Sequence, residues 1–446
     1  MSNDKLSPKW FRSYKKLVYF LDKHDKDRKF AFKGETHEKF LELREKFRNE
    51  FVKSEIGKEI NIARRWVLRF KEELTVTKEV LNIKGISLSK ELRDFVEDPF
   101  SHLKKKIFNY MYDLLRGKID IDSFKRSASA AVKTSFRTNL RNLYQCWVLI
   151  SILKLLGSLG AKIIYPEHGY LSLERLGKQK TGGIPPNCIM YIPSAGFLSF
   201  FLEAPRPISW EDSEDLRKIW SLYTALRPDI LVYGGKVVDI VSLESNPPIK
   251  RPDIIIECKE LTDWYLRVRE IRGPLTKPLT AEEWRSKWIN GLWEGLADIL
   301  GVKRSEAITT VEERKAIRLK DLQIVTLYHS LYQPKYMVVI SRTRVPEEVR
   351  DYLINHGIDL IDSVGFNSKR LKPLVDNISS FAGMEAQFEL LELKSDMLDK
   401  LRSLQEILRK KNINLPIEKI IKYSLLFALD NLNDYMSFIS NREEFS

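Results

Sequence analysis

The chain has 446 residues, of which 43% are hydrophobic and 30% are charged. This length and composition indicate a folded protein of two or three domains and exclude a disordered or collagen-like chain. The formal net charge is +14, and residues 1–150 hold 34 Lys and Arg against 21 Asp and Glu, so nearly all of the excess lies in the first third. That asymmetry predicts a polyanionic partner, either nucleic acid or a membrane surface.

Two other classes of protein are disfavoured. The longest apolar run, from Cys146 to Leu156, contains Lys154 and is shorter than the roughly 20 residues that a membrane-spanning helix needs. The N-terminus carries no apolar secretory signal, and the three cysteines stand far apart with no CxxC pair. We therefore expect a cytoplasmic protein with no membrane segment and no disulfide framework.

Residues 1–140 are predicted to form a helical domain, because apolar residues recur there at steps of three and four. Asp98 and Pro99 are typical of a helix start, ahead of a helix predicted over 102–115 that Gly117 ends. Together with its charge, this pattern indicates a basic domain that binds nucleic acid.

The last helix of this region has an unusual charge pattern, since residues 123–166 contain no acidic residue. Lys and Arg side chains supply affinity for the phosphate backbone that does not depend on base sequence. A solvated helix face is the alternative explanation. The candidate nucleic-acid-binding residues in this stretch are Lys125, Arg126, Lys133, Arg137 and Arg141.

Beyond Gly160 the pattern changes to short β-rich runs separated by turns. Strands are predicted over 161–165, 188–192, 197–202, 230–233, 237–243 and 254–256, with a hairpin-type turn at Gly234 and Gly235. A helix over 281–300, a strand over 336–340, a helix over 346–356 and a strand over 358–361 follow. This β–α–β ending favours a mixed or parallel sheet with helices on its faces, so we assign residues 141–383 to an α/β domain.

The tail, residues 384–446, is predicted to be a helical hairpin. Leucines and a methionine recur at steps of three and four as far as Leu408, residues 412–416 break the chain, and a second amphipathic helix covers 417–432. Such a hairpin is suited to self-association as a homodimer or to docking on a protein partner.

The candidate chemistry is concentrated between residues 227 and 260. In the segment from Arg251 to Lys259, the residues Asp253, Glu257 and Lys259 are separated by even numbers of positions, so their side chains would project from one face of a strand. Asp229 opens an earlier strand that could lie alongside. Carboxylates from two adjacent strands make a site of oxygen ligands that suits Mg²⁺, and a neighbouring lysine can orient or help deprotonate a water.

Asp229 followed by Glu257-Cys258-Lys259 on a later strand resembles the PD-(D/E)XK motif of the restriction-endonuclease-like nuclease superfamily. The order of predicted elements over residues 141–365 is similar to that family's core of a helix, three strands, a helix and a further strand. The resemblance implies a mixed sheet flanked by helices and a nuclease that uses Mg²⁺ or Mn²⁺. It further implies that Asp229, Glu257 and the backbone carbonyl of Cys258 ligate the metal, and that Lys259 positions the attacking water.

The same resemblance favours DNA over RNA as the substrate, in restriction, other antiviral defence or repair.

Two points depart from the family pattern. Asp253 also follows Arg-Pro, so either aspartate could be the first acid of the motif. We prefer Asp229, because in this family that acid normally comes from the strand before the one that carries Glu and Lys. Asp253 is then an auxiliary metal ligand or a strand-start residue. Gln145 stands where many members carry a glutamate on the first core helix.

Two alternatives to an active nuclease therefore stay open. One is a catalytically inactive nuclease-fold subunit that binds nucleic acid or a protein partner in a larger defence complex. The other is that Glu257 and Lys259 form a solvated pair on an edge strand with no chemistry.

Overall fold

The computed structural model describes residues 8–174, 184–204, 227–240, 250–271, 317–383 and 395–411, together with residues 413, 420, 421, 423, 424 and 431. The chain divides into two compact units, Met1–Glu385 and Ala386–Ser446.

The first part of the larger unit is helical, as predicted. Its helices are α1 (Lys9–His24), α2 (Gly34–Ile56), α3 (Glu59–Val80), α4 (Lys90–Glu97), α5 (Pro99–Lys106), α6 (Phe108–Leu115) and α7 (Ile121–Ser158). Asp98 caps α5 as expected, because its carboxylate accepts hydrogen bonds from the backbone N–H groups of Phe100 and Ser101. The helix predicted over 102–115 is instead two helices, separated at Ile107.

The helix that carries the acid-free stretch, α7, is 38 residues long and begins at an Asp120 cap. Its first half buries Phe124, Ala128, Val132 and Phe136, which are four residues apart and so lie on one face. From Leu143 to Leu153 every residue is buried, because that half packs against both the helices and the sheet.

The strands of the larger unit are β1 (Gly85–Ser87), β2 (Lys162–Tyr165), β3 (Tyr170–Ser172), β4 (Cys188–Ile192), β5 (Gly196–Leu202), β6 (Ile230–Gly234), β7 (Ile254–Lys259), β8 (Val268–Ile271), β9 (Ile317–Lys320), β10 (Tyr336–Ser341) and β11 (Asp359–Ile361). Seven of them form one mixed sheet in the order β11-β10-β7-β6-β5-β4-β2. Within this sheet the neighbours among β2, β4, β5, β6 and β7 pair antiparallel, whereas β7, β10 and β11 are parallel. The predicted α/β class is therefore confirmed at the level of a mixed sheet with helices.

Two apolar cores lie on the two faces of this sheet. Ile254, Ile256 and Cys258 of β7 belong to the core that includes α7, whereas Ile255 belongs to the second core. The second core includes helix α8 (Asp321–Tyr332), and helices α9 (Glu347–Asn355) and α10 (Lys372–Ser379) complete the unit. Glu257 alternates with Ile256 and Cys258, so its side chain projects to the side opposite α7, as the spacing predicts.

Two further predictions are corrected by this fold, and some of its elements were not predicted. The proposed domain boundary at residue 140 falls inside α7, which joins the helices to the sheet, so residues 1–140 do not form a separate compact unit. Residues 237–240 are not a strand, because the Val237 N–H donates to the side chain of Ser199 instead of a neighbouring strand. The paired strands β1–β3 and β8–β9 and the helix α8 were not predicted.

Other predictions lie partly or wholly outside the described residues. The helix expected over 281–300 is one of these. In the smaller unit, helix α11 (Ser395–Lys410) confirms the first helix of the predicted tail, and residues 420, 421, 423 and 424 of the second are helical. No helix within the described ranges has the length and apolarity required to cross a membrane.

Candidate active site

The antiparallel pairing of β6 and β7 brings Asp229 and Glu257 together. Ile230 is opposite Ile256, so Asp229, which precedes β6, lies beside Glu257 at the end of β7. The Asp229 N–H donates to Glu257 Oε2 at 3.2 Å, and the Cys258 N–H donates to Asp229 Oδ2 at 2.7 Å. Only 6% of Asp229 and 4% of Glu257 is exposed, so two carboxylates share a site that is shielded from water.

Lys259 lies in the same buried group, with its Nζ 2.8 Å from Glu257 Oε1 and only 3% of the residue exposed. Burial alone would lower the pKa of Lys259, but the nearby Glu257 and Asp321 carboxylates outweigh it and raise that pKa. The side chain is therefore an ammonium ion at neutral pH. Because β7 is central in the sheet and both side chains are buried, the alternative of a solvated edge-strand pair is wrong.

Asp229 carries a charge that the fold compensates poorly. Burial raises its pKa well above the ordinary value, and repulsion from Glu257 raises it further. Gln145 of α7 donates from Nε2 to Asp229 Oδ1 at 2.5 Å. Gln145, the residue at the position where the resemblance implies a glutamate, thus contacts Asp229 directly.

A polar cavity of about 170 Å³ opens onto these groups. Cationic side chains contribute to its wall, and its lining residues are Arg141, Glu203, Arg227, Asp229, Glu257, Cys258, Lys259, Arg269 and Tyr328. Burial raises the pKa of Tyr328 well above its ordinary value, so its hydroxyl stays a hydrogen-bond donor. The cavity therefore combines acidic groups with donors that suit a phosphate.

The donor set at this cavity fits a hard divalent cation. No group of three His, Cys, Asp or Glu side chains in the described part of the chain is arranged to hold a metal ion. Mg²⁺, however, commonly binds through one or two carboxylates and keeps several waters. Each oxygen of Asp229 and Glu257 accepts one hydrogen bond and retains a second lone pair, and a cation would relieve the repulsion that raises the Asp229 pKa.

Asp253, the other acid that follows Arg-Pro, lies elsewhere. It precedes β7 and so stands at the opposite end of the strand from Glu257. Its carboxylate accepts the Gly234 N–H at 2.8 Å and pairs with Lys335 Nζ at 2.8 Å. The structure does not bring Asp253 to the cavity, so of its two expected roles that of a strand-start residue fits and that of an auxiliary metal ligand does not.

The basic residues predicted on α7 separate into two groups. Arg141 is half-buried and lines the cavity, one turn before Gln145. Its Nε atom is buried and has no hydrogen-bond partner among the residues that the structure describes. The other four, Lys125, Arg126, Lys133 and Arg137, are exposed along the helix, and Lys133 pairs with Glu55 at 3.1 Å.

Four further residues at the cavity were not proposed as site residues: Glu203, Arg227, Arg269 and Tyr328. Glu203 follows β5 with a backbone φ of 44°, and its N–H donates to the carbonyl of Asp229 at 2.7 Å. A positive φ at a residue other than glycine is strained and is often found at functional sites. Arg227 precedes Asp229 by two residues, so it could have been found from its sequence position.

Arg269 of β8 is held over the cavity by a buried partner. Its Nη2 donates to Asp321 Oδ2 at 3.0 Å, and Asp321, the first residue of α8, is only 1% exposed. Burial would lower the Arg269 pKa, but the Asp321 carboxylate raises it overall, so the guanidinium remains charged. This pair comes from two elements that are more than 50 residues apart in sequence, and no local pattern predicts it.

Comparison of the chain with protein-family models, with curated proteins and with solved structures found no match in any of the three.

Proposed function

We propose that this protein is a metal-dependent nuclease that hydrolyses phosphodiester bonds of nucleic acid, with DNA favoured over RNA. The observation that carries the proposal is the convergence of Asp229, Glu257 and Lys259 from adjacent strands into one buried cavity with arginines in its wall. The order α7, β5, β6, β7 and β10 supports it, because a helix, three strands and a further parallel strand resemble the PD-(D/E)XK core.

Asp229, Glu257 and the carbonyl of Cys258 would hold Mg²⁺ or Mn²⁺. When bound, such an ion lowers the pKa of a water and offsets negative charge that develops on the phosphate. Lys259, as an ammonium ion, donates to the attacking water or to a phosphate oxygen. Its raised pKa makes it a positioning and charge-stabilising group rather than a general base.

The arginines at the cavity wall are suited to the phosphate itself. Planar guanidinium groups bind phosphate oxygens through paired hydrogen bonds. Arg141 Nε lacks a partner within the described residues, and Arg269 is held in place by Asp321. Arg141, Arg227 and Arg269 would therefore orient the scissile phosphate toward Glu257 and Lys259.

The exposed part of α7 would hold the rest of the nucleic acid through its phosphates. We expect the double variant Arg126→Glu/Arg137→Glu to reduce the slope of log affinity against log salt concentration, by roughly 0.7–0.9 for each phosphate that the protein no longer neutralises. The charge-matched control is the double variant Arg65→Glu/Arg69→Glu on α3, where both side chains are exposed. Equal slopes for the double variant and the control would mean that α7 does not contact phosphate.

A cleavage assay with single-stranded and double-stranded DNA and RNA, with and without Mg²⁺, tests the proposed reaction. We expect Glu257→Gln and Lys259→Met each to lower cleavage at least about a hundredfold, because each removes a group that stabilises the transition state. Asp253→Asn is the matched control, since this acid also follows Arg-Pro but lies at the other end of β7. Wild-type activity in Glu257→Gln would overturn the site assignment.

The second candidate function is an inactive nuclease-fold subunit that binds nucleic acid or a protein partner within a defence complex. The contact of Gln145 with Asp229 favours it, because an amide there replaces a carboxylate that could hold a second metal ion. Nucleic-acid binding without Mg²⁺-dependent cleavage in the wild type would support this candidate. Cleavage that Gln145→Ala reduces would instead make Gln145 a positioning residue for Asp229.

A further inference from the structure

A second concave surface lies on the same helix as the basic residues. It is a groove of about 560 Å³ between α7, the start of α4 and the end of α5. Its lining residues are Ser89, Lys90, Glu91, Lys106, Ala131, Thr134, Ser135, Thr138, Asn139 and Asn142. The six from α7 recur at steps of three and four, so one face of the helix forms the floor with small or uncharged polar side chains.

One buried polar atom in this groove lacks a partner. Asn139 is 2% exposed, and its Nδ2 donates to the carbonyl of Ser135 at 2.8 Å. Its Oδ1, in contrast, has no hydrogen-bond partner among the described residues. Buried polar groups are nearly always satisfied, so an amide oxygen in the wall of an open groove points to a ligand that brings a donor.

The groove leads toward the candidate active site. A small chamber of about 20 Å³ shares Ser89 and Asn142 with the groove and reaches Gln145 and Glu203. Glu203 also lines the catalytic cavity, and Gln145 donates to Asp229. The groove therefore shares lining residues with the chamber, and the chamber shares Glu203 with the cavity.

The basic residues flank this groove. Lys133, Arg137 and Arg141 immediately precede Thr134, Thr138 and Asn142, and successive helix positions are about 100° apart around the axis. A row of cations thus runs beside a row of uncharged hydrogen-bonding groups, and the last cation lines the catalytic cavity. A nucleic acid strand presents two complementary rows, with phosphates that suit the cations on one side and bases that suit the hydrogen-bonding groups on the other.

We propose, on the basis of the nuclease function above, that this groove binds a single strand of nucleic acid and directs it to the cavity. Unpaired bases offer N–H donors on their Watson–Crick edges, which can satisfy Asn139 Oδ1. In a duplex those edges are paired. The recessed carboxylates, with 4–6% of their residues exposed, also suit one strand rather than a rigid double helix.

Binding in a buffer that contains a metal chelator tests this proposal separately from cleavage. The probes are fluorescent 12-nucleotide strands of thymidylate and of uridylate and a 12-base-pair DNA duplex. We expect the wild type to bind at least one of the two strands about tenfold more tightly than the duplex, which corresponds to a difference of about 1.4 kcal/mol in binding free energy. The ratio of the two strand affinities identifies whether the groove prefers DNA or RNA.

Thr134→Trp places a large side chain in the floor of the groove and narrows it, and we expect this variant to weaken strand binding about tenfold with duplex binding unchanged. Thr75→Trp is the matched control, an exposed threonine on α3 that does not line the groove. Thr138→Glu, compared with Thr75→Glu, provides a second test with a smaller side chain that repels phosphate. Strand binding no tighter than duplex binding, or identical strand affinities for a groove variant and its control, would overturn the proposal even if Mg²⁺-dependent cleavage is observed.

Discussion

The charge of Asp229, a candidate catalytic residue, is unfavourable for the stability of the folded protein. Its carboxylate is buried beside Glu257, and both burial and repulsion raise its pKa. A group whose charge is unfavourable in the folded protein destabilises that protein unless a cation binds there. Removing the charge should therefore affect stability and activity in opposite directions.

We expect Asp229→Asn to raise the unfolding free energy of the metal-free protein by about 0.5–2 kcal/mol at neutral pH. The new amide can still accept the Cys258 N–H, and a rotated Gln145 amide can accept its N–H₂ group. Thermal and urea unfolding measure the gain, and the cleavage assay should show that activity is lost. Asp253→Asn, which loses the charge pair with Lys335, should not be stabilised, and a destabilised Asp229→Asn would contradict this account.

Substitutions at Arg269 and Asp321 test whether this buried ion pair holds the Arg269 side chain at the cavity. Removing one partner of a buried ion pair leaves an uncompensated charge, which costs about 3–5 kcal/mol when both are fully buried. The Arg269 side chain is 33% exposed, so we expect a smaller loss for Asp321→Asn, about 1–3 kcal/mol. Arg269→Lys should keep the charge but lower cleavage, since lysine lacks the planar paired donors.

A double-mutant cycle with Arg269→Gln and Asp321→Asn separates this coupling from general destabilisation. Urea unfolding should give a coupling free energy of at least about 1 kcal/mol for the pair. The exposed pair Lys39 and Glu42 on α2 is the control and should give a much smaller coupling free energy, because water and salt screen the two charges. Equal coupling in both pairs would mean that Asp321 does not hold Arg269 in place.

At the scale of elements, the packing of α5 on α7 depends on a buried histidine. His102 Nε2 lies 3.2 Å from Ser135 Oγ. Burial lowers the pKa of His102, and the nearby Lys106 lowers it further, against an opposing effect of Glu91. The folded protein therefore binds a proton on this ring less readily than the unfolded chain does.

The stability of this region should consequently decrease as the pH falls. The contribution of neutral His102 to the free energy of unfolding is complete above pH 6.5, which is about its pKa in the unfolded chain. That contribution is lost as the pH falls through the lower pKa of His102 in the folded protein. We expect the loss of unfolding free energy between pH 7.5 and pH 5 to be smaller in His102→Gln than in the wild type. His37→Gln, on the exposed surface of α2, is the control, and indistinguishable pH profiles for His102→Gln and the wild type would refute the prediction.

The strands and the site differ in how far local sequence determines them. Glu257 and Lys259 share a face of β7 because side chains alternate along any strand, so their spacing is enough to predict it. Asp229 and Asp253 have the same local sequence, and only the direction of pairing separates them. In an antiparallel pair, the start of β6 meets the end of β7, which places Asp229 at Glu257 and Asp253 at the far end.

Arg269 and Glu203 could not be predicted in this way. Arg269 lies in a four-residue strand with no alternating pattern, and Glu203 follows a buried strand in a conformation that glutamate rarely adopts. Their roles depend on which elements meet at the cavity. The boundary predicted at residue 140 was wrong for a related reason: the change in side-chain character along α7 marks a change of packing partner, whereas the helix itself is continuous.

At the scale of the whole molecule, residues 1–385 form a compact unit, and a residue near the end of this unit pairs with a strand of the sheet. Gly383 pairs with Phe197 of β5, with hydrogen bonds of 3.1 and 3.2 Å in the two directions. The helices, the sheet, the candidate active site and the groove all lie within this unit. The cavity therefore requires no residue that lies beyond Glu385 to supply its described lining.

We expect a truncated chain of residues 1–385 to fold with the thermal midpoint of the same unit in the full chain and to keep its cleavage activity. The smaller unit carries exposed apolar side chains on α11, with Leu404 38% and Ile407 53% exposed, which favour association with a second copy or a protein partner. Light scattering should then give more chains per particle for the full protein than for residues 1–385. A truncated chain that ends at residue 380 is the control for the fold, because it lacks Gly383 and should unfold at a lower temperature. Equal association by the full and truncated chains would exclude the C-terminal helices as the self-association surface.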